Sequence, residues 1–322
     1  MFNNGLQNKK IMKILIIGGA GFIGSVLVKK MLEDNAEIIV IDKLSLGSVD
    51  YIDTTKVEFH QIDINNIEQV LEVLQNMQID EVWHLAANSD IPAGVEDMNV
   101  DLDDTFMSTV STLKIMREIG CRRLYFASSS AVYGFNENRL HEDIGPLLPI
   151  SNYGAMKLSS EALISASLES FLDKVCIYRF PNVVGVPATH GVILDFIKKL
   201  KKDMSTLEVL GNGTQQKTYL HVSELVEAML FINNNTDNGM NYYNIGAMDD
   251  GVFVKQIAEE TTKVISPDAK INYQKTDRGW VGDVPRFYYS VDKLKDLGWS
   301  PKMSSLEAVQ KAVSEIASQE EV

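Results

Sequence analysis

Two cysteines, Cys121 and Cys176, are all that the 322 residues contain, and both sit beside apolar runs. So low a count excludes a disulfide-stapled scaffold and favours buried free thiols. Long apolar runs are missing too. The longest, "ILIIGGAGFIG", is broken by glycines and falls well short of a membrane span. The opening "MFNNGLQNKK" lacks the apolar stretch of a signal peptide. It reads as a loose leader, so a cytoplasmic location is expected. Basic charge is the minority: 30 Lys and Arg stand against 44 Asp and Glu, a net −14. That sign repels nucleic acid and anionic membranes. A small anion needs only a helix N-terminus and a few local cations, so it is not excluded. The five histidines show no metal spacing, and His84, His190 and His221 read as motif or loop residues. Neither a low-complexity tract nor an internal repeat is present.

What is there is an alternation of two periods. Short apolar runs recur as "KILIIGG", "EIIVID", "VEFHQID", "EVWHLAA", "RLYFASS" and "VCIYRF". Between most of them lie segments of helical spacing, such as "IEQVLEVLQNM" and "STLKIMREIG". Strands alternating with helices imply right-handed crossovers and a parallel sheet covered on both faces. The fold class is therefore α/β, a doubly wound (Rossmann) parallel sheet over about residues 12–180. After "RFPNVVG" the pattern loosens into a smaller, mixed α/β C-terminal domain over about 181–322, expected to bind substrate. Segments near 215–250 read as elements returning to the main sheet.

"KILIIGGAGFIG" reads as a strand, a glycine turn and a helix start. Gly18, Gly21 and Gly24 supply a tight turn, close approach of backbone to a pyrophosphate, and close packing of helix on strand. The amides at Phe22 and Ile23 open that helix. A glycine pattern alone is weak; the strand before it, the apolar helix after it and Asp42 ending "EIIVID" strengthen it. Asp42 is suited to hydrogen-bond both ribose hydroxyls of an adenosine, which favours NAD over NADP. The neighbouring Lys43 tempers that preference.

"SNYGAMKLSSEALISA" starts with Ser151, a plausible N-cap, and places Tyr153 and Lys157 four apart on one helix face. A tyrosine with a pKa near ~10 is a poor base at neutral pH. An adjacent ammonium, with the positive nicotinamide ring, is expected to lower that pKa, so that Tyr153 can take a proton from an alcohol while hydride leaves the same carbon. Tyr-x-x-x-Lys by itself is a common accident; the glycine turn, Asp42 and a serine-rich strand end change the balance.

The sequence resembles the extended short-chain dehydrogenases/reductases that act on nucleotide sugars. The resemblance covers nearly the whole chain and rests on "GGAGFIG", "VID", "QIDI", "HLAA", "SSSAVYG", "YGAMK", "RFPNVVG", "GNGTQQKTYLHV" and "LGWSP". It implies that Asp63 and Ile64 flank the adenine, that Leu85, Ala86 and Ala87 line the cofactor groove, and that Tyr153 and Lys157 are the catalytic pair. It also implies that Ser129, three residues before the valine of "VYG", is the hydroxyl partner of Tyr153, with Ser130 beside it at the sugar. Members that eliminate water carry Asp then Glu at the next two positions. Ser130 and Ala131 stand there instead, so dehydration by that route is not expected.

On the substrate side the resemblance makes Asn182 a contact to the sugar or diphosphate, although it reads equally as a turn residue. Lys217 stands where the family has an arginine, and lysine cannot bind phosphate bidentately. A second family arginine aligns with Trp280 or Val281, with Arg278 or Arg286 as possible replacements. Phe287 stands where the family sets pocket size, favouring a plain hexose or uronic acid, but it also reads as a packed strand aromatic. The expectation is an NAD-dependent 4-epimerase of a nucleotide-diphosphate sugar, a homodimer by resemblance. Alternatives are a dehydratase or reductase of the same family, or a silent NAD-binding regulator.

Overall fold

The computed structural model describes residues 11–136, 139–275 and 289–321. Six strands form in the order the apolar runs dictate: β1 (Lys13–Ile17), β2 (Glu37–Asp42), β3 (Glu58–Gln61), β4 (Glu81–His84), β5 (Arg123–Ala127) and β6 (Lys174–Arg179). Four short strands follow, β7 (Asn182–Val184), β8 (Thr206–Val209), β9 (Gln216–Lys217) and β10 (Tyr219–His221). Then β11 (Gly239–Asn244) returns to pair in parallel with β6. The result is a seven-stranded sheet of order β11-β6-β5-β4-β1-β2-β3, parallel throughout.

β1 shows why these runs become central strands. Ile14 and Ile16 pack into one face with Leu27, Val28 and Ile232, while Leu15 and Ile17 pack into the other with Val70, Ile115 and Ile164. With period 2 both faces are apolar, so the strand needs cover on both sides. Each such side chain contributes roughly 1.5–3 kcal/mol by leaving water. Trp83 of β4 is fully buried and stacks on Tyr125 at 4.4 Å between ring centroids. Both cysteines are buried and free, as expected.

The helices that supply the cover are α1 (Phe22–Glu33), α2 (Ile67–Val73), α3 (Ile91–Glu96), α4 (Met98–Asp101), α5 (Ser108–Ile119) and α6 (Asn152–Leu168). A wider π turn, Leu102–Met107, joins α4 to α5. Later come α7 (Val192–Lys202), α8 (Val222–Asn235), α9 (Val254–Ile265), α10 (Asp292–Leu297) and α11 (Ser305–Gln319). Helices α7, α9 and α11 close on a separate apolar cluster containing Ile197, Leu207, Ile257 and Val313. Around it β8 pairs with β13 (Lys270–Tyr273) in parallel, and β9 pairs with β12 (Val252–Phe253) antiparallel. Sheet order reverses between β1 and β4, so a crevice opens past their carboxyl ends. A cleft of about 1030 Å³ occupies it and runs on to β7 and α7. Among the described residues no helix is long and apolar enough to cross a membrane, and no His, Cys, Asp and Glu group suited to a metal ion is present.

Candidate active site

One end of the cleft is built by the glycine turn. Gly18 has φ +83°, and a Cβ there would stand 2.6 Å from the Ala86 nitrogen at the end of β4. A Cβ on Gly24 would collide with the Gly18 carbonyl oxygen. Gly21 differs: an added Cβ would meet only the Gly18 oxygen at 3.4 Å and otherwise stand in the open cleft. Protein packing does not require a glycine there, and its absence of a side chain leaves the backbone open to a ligand in the cleft. α1 begins just beyond with no side-chain cap and no acidic residue in its first turn. Its free N–H groups, near Phe22 and Ile23 on the cleft wall, suit a pyrophosphate.

Asp42 ends β2 with Oδ2 accepting from the Ala20 N–H at 3.0 Å and Oδ1 from the Leu44 N–H at 2.8 Å. Each oxygen keeps a lone pair for a ribose hydroxyl. Lys43 lies 2.5 Å from Asp104 and 3.5 Å from Asp63. Burial acts to lower its pKa, and the bonds and charges of these two carboxylates reverse the sign, leaving it raised. Two carboxylates thus already pair with its charge at the cleft edge. Asp63, Ile64, Leu85, Ala86 and Ala87 line the same end of the cleft. These residues fit NAD.

At the centre, Ser151 caps α6 by accepting from the Gly154 N–H at 3.1 Å. Lys157, 2% exposed, donates to the Ala127 carbonyl at 2.6 Å and lies 5.8 Å from the Tyr153 ring centroid. The three serines after β5 part company. Ser128 is buried and donates to Glu161 at 2.5 Å. Ser129 hydrogen-bonds Tyr153, and its Oγ also accepts from the Ala131 N–H at 3.2 Å. Ser130 gives its N–H to the Phe180 carbonyl at 3.1 Å and faces the cleft beside Ala131.

Burial pushes the Tyr153 phenol up to about 12, the Ser129 bond pulls against this, and the charge of Asp101 adds to the rise. Burial also draws Lys157 down to about 7, opposed by Glu161 and Asp101. In the ligand-free protein desolvation is the largest influence on both groups, so the lowering expected of Lys157 together with the nicotinamide ring is not seen in Tyr153 alone. Without ligand Tyr153 stays a phenol at neutral pH.

Asn182, on β7, bonds the Thr218 carbonyl at 3.3 Å and lines the far end of the cleft with Lys217. Arg278 and Phe287, with Trp280, Val281 and Arg286, lie outside the described residues. Sequence reasoning missed a buried network behind the serines. Glu161 takes Arg179 bidentately, Nε at 3.0 Å and Nη2 at 2.6 Å. Arg179 also donates to the Tyr133 hydroxyl at 3.0 Å, and Asn244 accepts from Tyr133 at 2.7 Å and from Tyr289 at 3.1 Å. The available signal was Glu161 continuing the four-residue step of Tyr153 and Lys157 into the buried face. Asp101 was missed as well, and nothing in its neighbourhood announced it.

A crevice of this kind in a doubly wound sheet, with an uncapped glycine turn at one end and Ser129, Tyr153 and Lys157 together at its centre, defines a protein of the dinucleotide-binding class. The chain belongs to the NAD dependent epimerase/dehydratase family, whose model matches residues 14–246. It is 30% identical over 306 residues to a putative UDP-glucose 4-epimerase of Methanocaldococcus jannaschii, covering 94% of this chain and 97% of that protein. A solved UDP-galactose 4-epimerase superposes with a TM-score of 0.85 at 34% identity, covering 96% of this chain and 99% of the other. The UDP-glucose 4-epimerase of Thermus thermophilus in complex with NAD gives 0.83 at 27%, covering 94% and 98%. NAD is the cofactor.

Proposed function

We propose that the protein inverts C4 of a nucleotide-diphosphate sugar through a transient 4-keto intermediate. The observation that carries the reading is one cleft holding Ser129, Tyr153 and Lys157 together, with Ser130 and Ala131, not carboxylates, at the two following positions. NAD, held by the glycine turn and Asp42, would supply the hydride acceptor and donor that this inversion requires. Tyr153 takes and returns the proton of the 4-hydroxyl. Ser129 holds the sugar oxygen as it becomes a ketone. Lys157, anchored on the Ala127 carbonyl, lies against the tyrosine ring, where its ammonium form favours the phenolate. Ala131 has no acid group for eliminating water, which argues against a dehydratase. Asn182, Lys217 and Ser130 are the substrate contacts on this reading, joined by Arg278 and Phe287 from the sequence alone. The relatives named above favour a UDP sugar. We further propose that the enzyme works as a cytoplasmic homodimer.

The test is incubation of the purified protein with UDP-, GDP-, CDP- and dTDP-hexoses, read by NMR. Inversion at C4 of one sugar without net NADH is expected. Water loss at C5–C6, or an unchanged panel despite bound NAD, overturns the reading.

A further inference from the structure

The wall behind Tyr153 holds a carboxyl group that the reaction above does not use. Asp101 ends α4 at the point where the helix widens into the π turn, and it is 1% exposed. Its Oδ1 accepts from the Asn88 side chain at 2.8 Å. Its Oδ2, also buried, has no hydrogen-bond partner among the described residues. Gly94 of α3 is packed so closely that a Cβ there would collide with the carboxyl. α3 in turn is tied to the residue before Tyr153, because Asn152 donates to the Gly94 carbonyl at 2.8 Å. Asn88 anchors the other side, giving its N–H to Thr105 at 3.2 Å. A half-satisfied buried carboxyl is destabilising, and a neutral side chain could fill the space without that penalty.

We propose that Asp101 is a positioning residue for the active site, its charge setting the protonation of Tyr153 and Lys157 through space. The proposal rests on the reading that these two residues form the catalytic pair. Asp104 on the π turn and Lys157 on α6 act on Asp101 directly, Asp90 at the start of α3 shares the Asn88 side chain with it, and Glu161 on α6 and His84 on β4 are coupled to Lys157. Burial and Asp104 raise the pKa of Asp101, against the Asn88 bond and Lys157. His84 is held neutral, its pKa drawn down to about 3 by burial and by Lys157. The signs for the catalytic pair agree: an ionised Asp101 opposes the Tyr153 phenolate and favours the Lys157 ammonium. Removing the charge therefore moves both ionisations to lower pH. The two limbs of the kcat/KM profile are macroscopic ionisations of the coupled pair, and because both ionisations move to lower pH the whole bell moves acidward.

The experiment is Asp101→Asn in the full chain with NAD bound. The Tyr153 ring resonance is followed by NMR, assigned by its loss in Tyr153→Phe, and kcat/KM is measured across pH. The expected result is a fall of ~1 pH unit in the Tyr153 inflection, with both limbs moving the same way. A lower rate with an unmoved inflection shows a merely structural role and overturns the proposal. If Asp101→Asn fails to fold, the unmodified protein decides: its Tyr153 resonance must show a second inflection as Asp101 ionises, and a single inflection overturns the proposal. The NMR titration needs no turnover. A shifted inflection in a protein that epimerises no sugar therefore counts against the proposed function and not against Asp101.

Discussion

Gly21 and Gly24 lie three residues apart and are glycine for opposite reasons. A methyl group on Gly24 collides with backbone that cannot move, whereas on Gly21 it enters the cleft. Gly24→Ala is expected to lower unfolding stability by roughly 1–3 kcal/mol, the usual range for overpacking. Gly21→Ala is expected to melt like the parent while NAD binding weakens by about tenfold or more, ~1.4 kcal/mol. Calorimetry and NAD titration of the two variants separate these effects, and equal melting losses would show that Gly21 is a packing residue. Lys157 supports a second residue-scale prediction. Its folded pKa, about 7, lies below the ordinary lysine value of 10.5. Between those values the unfolded chain binds a proton that the ligand-free native state does not, so this group makes stability rise with pH across that window. Lys157→Met is expected to flatten that slope in denaturant titrations at several pH values, while lowering turnover at least ~10²-fold. A slope unchanged in the variant would show that Lys157 does not titrate there.

α6 joins chemistry to structure on one stripe. Tyr153, Lys157 and Glu161 follow at four-residue steps, the first two toward the cleft and the third toward Arg179 on β6. Glu161→Ala leaves Arg179 buried without its counter-charge and Ser128 without its acceptor. A loss of roughly 3–5 kcal/mol in unfolding free energy is expected from equilibrium denaturation, and Glu161→Gln should lose less. A loss under ~1 kcal/mol would class the pair with exposed ion pairs. The same helix shows what was legible in the sequence. The six strands and the Tyr–Lys pair could be read because periodicity and spacing are local properties of the chain. Asn244 and Tyr289 meet Tyr133 from more than a hundred residues away, and no local pattern encodes such a meeting. The π turn before α5 was also hidden, since its residues suit an ordinary helix equally well. Spacing gives the proximity of Lys157 and Tyr153 but not their burial, which is the largest influence on both groups in the ligand-free protein.

At the scale of the whole molecule, α5 and α6 form one outward surface. Arg117 of α5 lies 5.0 Å from the Phe171 ring centroid and bonds Ser170 at 3.2 Å, tying α5 to the turn that follows α6. The outer stripe of α6 carries the small exposed residues Ser159, Ala162, Ser165 and Ala166, and Met107 is exposed just before α5. Small side chains let a second helix pair approach closely, which gives the proposed homodimer a physical basis. Opposing it is charge, since each copy brings a net −14. Repulsion between like-charged copies is screened by salt, with a Debye length of roughly 10 Å at 0.1 M. The expected outcome in light scattering at micromolar concentration is twice the 35.9 kDa chain mass, with dimer gaining over monomer as ionic strength rises. Ala162→Glu places a second like charge at the centre of the stripe and is expected to yield monomers that still bind NAD. The glycine turn and Asp42, the proposed cofactor contacts, lie away from that stripe at the carboxyl ends of β1 and β2. An unmodified protein that stays monomeric at every salt concentration, or an Ala162→Glu variant that remains dimeric, would place the contact elsewhere or remove it.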